Sequence, residues 1–287
     1  MPVSFSIRRR LLTYFRFLTS ACSKMTRVLF VVLLLSVTPM FLVCKPLQSE
    51  NLLLLPDEML DVSEIITKAN RNISKFLIHG DIMPSRMRNA DPCVKSECMW
   101  PKTGAYVYVP IEISNNFTRA EVRVIMKALM GFEKSTCIRF TWRSDEKDYI
   151  QLFSGKGCWS SVGRQREMQQ ISLQKGSCVH VKTVQHEVLH ALGFHHEQTR
   201  SDRDTYVDIH WENIKSEDKS NFEKLKTYNL YTPYDYNSVM QYHNLAFSIN
   251  GKPTITAKTN PDLILGSATE MNDNDIARVN RLYCSKI

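Results

Sequence analysis

The run His186-Glu-Val-Leu-His-Ala-Leu-Gly-Phe-His-His196 constrains this chain more than any other feature. On a helix, residues four apart share a face, so His186 and His190 send both imidazoles toward one point. Gly193 follows three residues later; lacking a Cβ, it can take positive φ, end the helix and turn the chain back. Such a turn delivers a third imidazole, and the spacing H-x-x-G-x-x-H selects His196. His195, one residue out of register, reads as a structural or rim histidine. Three histidines leave one metal position open, as a catalytic zinc site requires, and an all-imidazole set favours zinc over copper or iron. Glu187 projects beside them, placed to take a proton from water and pass it to a leaving amine. A bare H-E-x-x-H can be a solvated helix face. The added glycine and third histidine at fixed positions set that alternative aside and point to one catalytic Zn2+ and peptide hydrolysis.

Charge bears on a rival class. The 287 residues carry a formal net charge of +8, which on its own suggests a nucleic-acid or membrane partner. Residues 1–27 hold +6 of it, residues 28–88 are neutral, and 89–287 keep +2. The body has no basic excess for a nucleic-acid partner. Directly after Arg27 comes Val28–Val43, an apolar run short of the roughly 20 residues of a bilayer span. A basic flank before a short apolar run is the pattern of a secretory signal peptide, with Met25 a compact start; an uncleaved anchor is the competing reading. Residues 1–44 are therefore expected to be a leader, and the protein secreted and extracellular, without stable membrane association.

In an oxidising compartment the cysteines read as disulfides. Cys22 and Cys44 lie in or beside the leader, which leaves Cys93, Cys98, Cys137, Cys158, Cys178 and Cys284, whose pairing spacing alone does not choose. The sequons at Asn72 and Asn116 fit a secreted glycoprotein. Residues 45–88 read as a propeptide ending in Pro84-Ser-Arg-Met-Arg88, a basic stretch open to a trypsin-like or furin-like activating protease; the competing reading is an ordinary loop. Cutting after Arg88 leaves residues 89–287 as one catalytic domain.

Within the body, Thr118-Arg-Ala-Glu121 forms a capping box ahead of Val122, Ile125, Met126, Leu129 and Met130 at helical spacing. The β-rich runs Ile138–Trp142, Tyr149–Phe153 and Gln170–Leu173 predict strands. A second helix is expected over Val181–Leu192, then irregular chain until Asn272 caps a last helix reaching about Tyr283. The class is α+β.

The stretch from His186 to Asp204 resembles the signature of the astacin zinc endopeptidases, within the metzincin clan, with Glu197 directly after the third histidine. The likeness runs through Thr136–Phe140, Gly157-Cys158, Ile171–Leu173, Thr232–Tyr236 and Ser238–Tyr242, and Cys93 with Cys98 resembles the six-cysteine, hatching-enzyme-like branch. The resemblance implies an upper twisted sheet with two helices (89–193), an irregular lower half (194–287), and zinc in the cleft between. It implies that Met240 lies beneath the zinc ligands, and that Tyr242 is a fifth zinc ligand that swings away to hydrogen-bond the reaction's oxyanion. Gln241 stands where the family has histidine, which puts the hydrogen bonds that position Tyr242 in question. Ile78-His-Gly-Asp81 is similar to the family's F-x-G-D latency motif, which makes Asp81 the zymogen's zinc ligand. Glu197 is implied to meet the new N-terminus, Asn89. Pairings of Cys93–Cys98, Cys137–Cys284 and Cys158–Cys178 are implied as well; the widest would be worth on the order of 4–5 kcal/mol. The expectation is a secreted monomeric endopeptidase that binds extended polypeptide along an edge strand, with egg envelope as the substrate that the branch suggests. The rival is a catalytically silent binding protein on the same scaffold.

Overall fold

Alternation along Tyr106–Ile113 makes the strand on which the upper half is built. Val107, Val109 and Ile111 are buried while Tyr106 and Tyr108 on the opposite face stay exposed. The computed structural model describes residues 60–84 and 98–285, all within one compact unit, Leu54–Ile287. Its strands are β1 (Lys102–Thr103), β2 (Tyr106–Ile113), β3 (Ile138–Trp142), β4 (Tyr149–Phe153), β5 (Cys158–Ser160) and β6 (Met168–Leu173) in one sheet, and β7 (Val207–Ile209) with β8 (Ile255–Ala257) in a second. The helices are α1 (Val62–Asn70), α2 (Arg119–Ser135), α3 (Val181–Ala191) and α4 (Asp273–Val279).

The large sheet runs β1-β2-β4-β6-β5, with β3 also on β2. Strands β2, β3, β4 and β6 are parallel, in the registers Val107↔Ile138, Ile111↔Ile150 and Tyr149↔Met168. The edge strand β5 is antiparallel to β6, with Trp159 opposite Ser172. Helix α2 forms as its capping box dictates: the Thr118 side chain accepts from Glu121 N, and the Glu121 carboxylate accepts from Thr118 N at 2.7 Å. Its Ile125, Leu129 and Phe132 join the sheet's Ile150, Leu152, Ile171 and Leu173, and Val184, Val188 and Leu189 of α3, in one core.

Helix α1 has no counterpart among the sequence-based expectations. A capping box of Asp61 and Glu64 starts it, and its Val62, Ile65 and Ile66 enter the same upper core. Each such side chain, fully buried, contributes roughly 1.5–3 kcal/mol. The stretch read as a propeptide is thus packed into the body against α3 and β5.

The lower half is mostly turns and short 3-10 segments around a second core of Val207, Ile214, Phe222, Tyr234, Tyr242, Ile255 and Leu265. The last helix is capped by Asn272 and reaches its expected end near Tyr283, with α4 passing after Val279 into a π-helical turn over Asn280–Cys284. Disulfides Cys137–Cys284 and Cys158–Cys178 form as the resemblance implied, the first spanning a sequence separation of 147. The leader, Arg88, Asn89 and Cys93 lie outside the described residues. Among the described residues no helix is long and apolar enough to cross a membrane.

Candidate active site

Helix α3 is buried on every side from Lys182 to Ala191, so its histidines reach only protein. Gly193, at φ +102°, ends it, and the next residues return the chain over the histidine face. His186 Nδ1 donates to Val239 O at 2.7 Å, and His190 Nδ1 to Phe194 O at 2.7 Å. A carbonyl can only accept, so both Nδ1 atoms carry the proton and both Nε2 atoms present lone pairs. Burial lowers the pKa of His190 and takes that of His196 down to about 3, against the opposing pull of the Asp81 charge.

The three Nε2 atoms crowd together. His190 and His196 lie 3.1 and 3.3 Å from His186, and Asp81 enters the same space from the segment that follows α1. Asp81 Oδ2 is 2.9 Å from His186 Nε2 and 3.1 Å from His196 Nε2, and its Oδ1 is 3.5 Å from His190 Nε2. All four ligand atoms fall within 4.8 Å of one another. The His186 and His190 lone pairs and the Asp81 carboxylate repel one another unless positive charge, a proton or a metal ion, sits among them. Imidazole and carboxylate donors of this kind suit zinc.

Asp81 is carried there by a tight turn. Ile78 N donates to Ile82 O at 2.8 Å and Ile82 N to Ile78 O at 2.9 Å. His79 (φ +48°) and Gly80 (φ +85°) take the left-handed region between them. A Cβ on Gly80 would lie 3.0 Å from the Phe247 ring and 3.2 Å from the Tyr242 hydroxyl, so glycine is needed for the approach. Burial alone would raise the Asp81 carboxyl, but the surrounding histidines hold it well below the usual carboxylate range.

Glu187 is fully buried, and neither carboxylate oxygen has a hydrogen-bond partner. Burial first, then the Asp81 charge, push it well above its ordinary value. His195 is not in the cluster; burial takes its pKa down to about 3, and its Nδ1 makes no hydrogen bond.

The Tyr242 ring lies tilted at 48° with its centroid 4.8 Å from that of His196, but its hydroxyl donates to His79 O at 2.5 Å. Gln241 has a defined part: its Oε1 accepts from the Tyr234 hydroxyl at 2.6 Å, and its Nε2 donates to Tyr242 O at 2.8 Å. Met240 is buried in the upper core, and its carbonyl accepts from Glu197 N at 2.9 Å, tying this turn to the third histidine. Glu197 accepts from both Arg278 Nη atoms (2.5 and 2.7 Å), from Arg200 Nη1 and from Asp235 N.

The turn before Tyr242 is also held from α4. The Ser238 hydroxyl donates to Asp275 Oδ1 at 2.5 Å and Val239 N to Asp275 Oδ2 at 3.2 Å. Burial raises Asp275 to about 6, against the opposing pull of Ser238, Asn272 and Arg278. A raised carboxyl stabilises the fold while protonated, and that contribution is lost as pH climbs from the unfolded value toward and past 6. Between pH 4 and 7 the loss is about 2–3 kcal/mol. Denaturant titrations of the wild type and Asp275→Asn are expected to show the wild type's relative stability falling by that amount over this range. Parallel curves would refute the assignment.

A family pattern for the Astacin peptidase family matches residues 94–284. High choriolytic enzyme 1 of Oryzias latipes is 43% identical over 229 residues, covering 79% of this chain and 85% of that protein. The low choriolytic enzyme of Oryzias latipes is also 43% identical over 229 residues, with 79% and 84% covered. The solved structure of high choriolytic enzyme 1, a hatching enzyme zinc-protease, superposes with a TM-score of 0.66 at 45% identity, covering 69% of this chain and all of that one.

Proposed function

The chain belongs to the astacin family of zinc metalloendopeptidases, and on that footing we propose that it is secreted as a latent precursor, activated by cleavage near Arg88. The observation that carries this reading is the Asp81 carboxylate among His186, His190 and His196. These histidines would hold one catalytic zinc, and Asp81 would fill the ligand position that the active enzyme leaves open. Zinc bound there supplies Lewis-acid polarisation of a scissile carbonyl and acidifies water. Glu187 accepts the proton of the attacking water and returns it to the leaving amine nitrogen. Tyr242, freed from His79 when the propeptide leaves, donates its hydroxyl to the developing oxyanion.

The outer edge of β5 is where an extended polypeptide would add as a strand. The precursor fills that edge itself: Ser160 N donates to Asp81 O at 3.1 Å and Met83 N to Ser160 O at 2.8 Å. Likeness to the choriolytic enzymes supports egg-envelope protein as the substrate. We read the enzyme as an extracellular monomer with no nucleic-acid partner and no stable hold on membranes.

The test is casein hydrolysis by the full chain before and after arginine-specific cleavage, with a chelator and then with zinc restored. Activity is expected only after cleavage, lost to the chelator and regained with zinc. If the processed chain binds one zinc and cuts nothing, the silent binding scaffold is the correct reading.

A further inference from the structure

Asn70, the last residue of α1, is 2% exposed and belongs to no motif. Its Nδ2 donates to Gly80 O at 2.9 Å and to Cys158 O at 2.7 Å, and its Oδ1 accepts from Cys158 N at 2.8 Å. Cys158 opens the edge strand β5, where Trp159 lies opposite Ser172 of β6. Cys158 and Ser160 therefore turn their N–H and C=O groups to the free edge. On Ser160 both are taken by the propeptide main chain; on Cys158 both are taken by a side chain.

One carboxamide satisfying the N–H and the C=O of a single strand residue reproduces what an opposed residue of an antiparallel strand supplies. The body is shaped around it. A Cβ on Gly157 would lie 2.1 Å from Asn70 Oδ1 and 2.7 Å from Ile73 Cδ1. The geometry points to Asn70 as a second latency residue, whose carboxamide occupies the Cys158 main-chain groups in place of a substrate peptide unit. It closes the strand edge while Asp81 closes the metal site. This inference rests on the protease reading above.

The experiment uses the uncleaved full chain and a quenched fluorescent peptide, with Asn70→Ala and Ser63→Ala compared against wild type. Ser63 anchors the same helix by accepting from His243 N at 3.1 Å but makes no hydrogen bond to β5. Asn70→Ala is expected to raise activity before processing by about tenfold or more, since it removes hydrogen bonds to two residues. It should also speed exchange of the Cys158 amide, while Ser63→Ala changes neither. After processing, all forms should match, because Asn70 leaves with the propeptide. Wild-type silence and wild-type exchange in unprocessed Asn70→Ala, with full activity after cleavage, would overturn the Asn70 assignment alone. An equal leak from Ser63→Ala would reduce Asn70 to one tether among several and overturn it too. No cleavage by any processed form would remove the protease reading and this inference with it. If Asn70→Ala does not fold, Asn70→Asp, which keeps the shape and loses the donors, is read by the same outcomes.

Discussion

Glu187→Gln in the processed enzyme is expected to lower kcat/KM by about 10²–10⁴-fold without loss of bound zinc or of thermal stability. Both oxygens of Glu187 lack partners in the precursor, so the amide breaks no hydrogen bond and removes a titratable group from a buried place. The three histidines keep their positions, His186 and His190 held by their backbone partners at Val239 and Phe194, so the metal site should load as before. The unpartnered state also has a purpose. Burial and then the Asp81 charge push the Glu187 carboxyl well above its ordinary value. Cleavage as proposed would remove the Asp81 charge and admit water, and both changes would bring the carboxyl back toward values useful near neutral pH. The measurement is steady-state kinetics on the processed protein beside metal content and melting temperature. A variant within tenfold of wild type, with zinc bound, would mean that another group takes the proton.

Much of this site is legible in the amino-acid sequence, and the reason is spacing. His186, His190, Gly193 and His196 act through helix periodicity and one reversal, both of which are local. The α2 capping box is legible for the same reason, and the helix begins where Thr118 and Glu121 place it. Strand β2 escapes a sequence reading because Pro110 sits inside its alternation, and proline argues against a strand unless the missing donor is tolerated. Asp61 and Glu64 carry the same kind of helix-start signal as Thr118 and Glu121, ahead of the short apolar set Val62, Ile65 and Ile66. The final helix reaches Cys284, and only the widening of its ladder into a π turn after Val279 goes unreported by side-chain periodicity. Asn70 has no local signal at all. Its partner Cys158 is 88 residues away, and only the packing of α1 on β5 brings the two together.

Asp81→Ala in the uncleaved chain is expected to convert a silent precursor into a leaking one. Asp81 is 1% exposed, faces the three Nε2 atoms, and is the charged group that the propeptide contributes to the cluster. Breaking a buried charge pair by removing one partner costs about 3–5 kcal/mol. If that energy holds the propeptide closed, the open population rises by about 10²–10⁴-fold. The leak should stay below the activity of the processed enzyme, since the Ser160 and Cys158 edge bonds and the apolar face of α1 remain. Asp81→Asn separates shape from charge: it fills the same space with a neutral, weaker ligand and should leak nearly as much as Asp81→Ala. The pH dependence follows from the direction of the Asp81 shift. A carboxyl held well below its ordinary value contributes fully above that ordinary value, and its contribution is lost only as pH falls through the lowered one. Wild-type precursor brought to pH 5 and returned to neutral should therefore stay as silent as before. Precursor that opens at pH 5, or an Asp81→Ala chain as silent as wild type yet active once cut, would show that latency is held by the strand edge and not by this carboxylate.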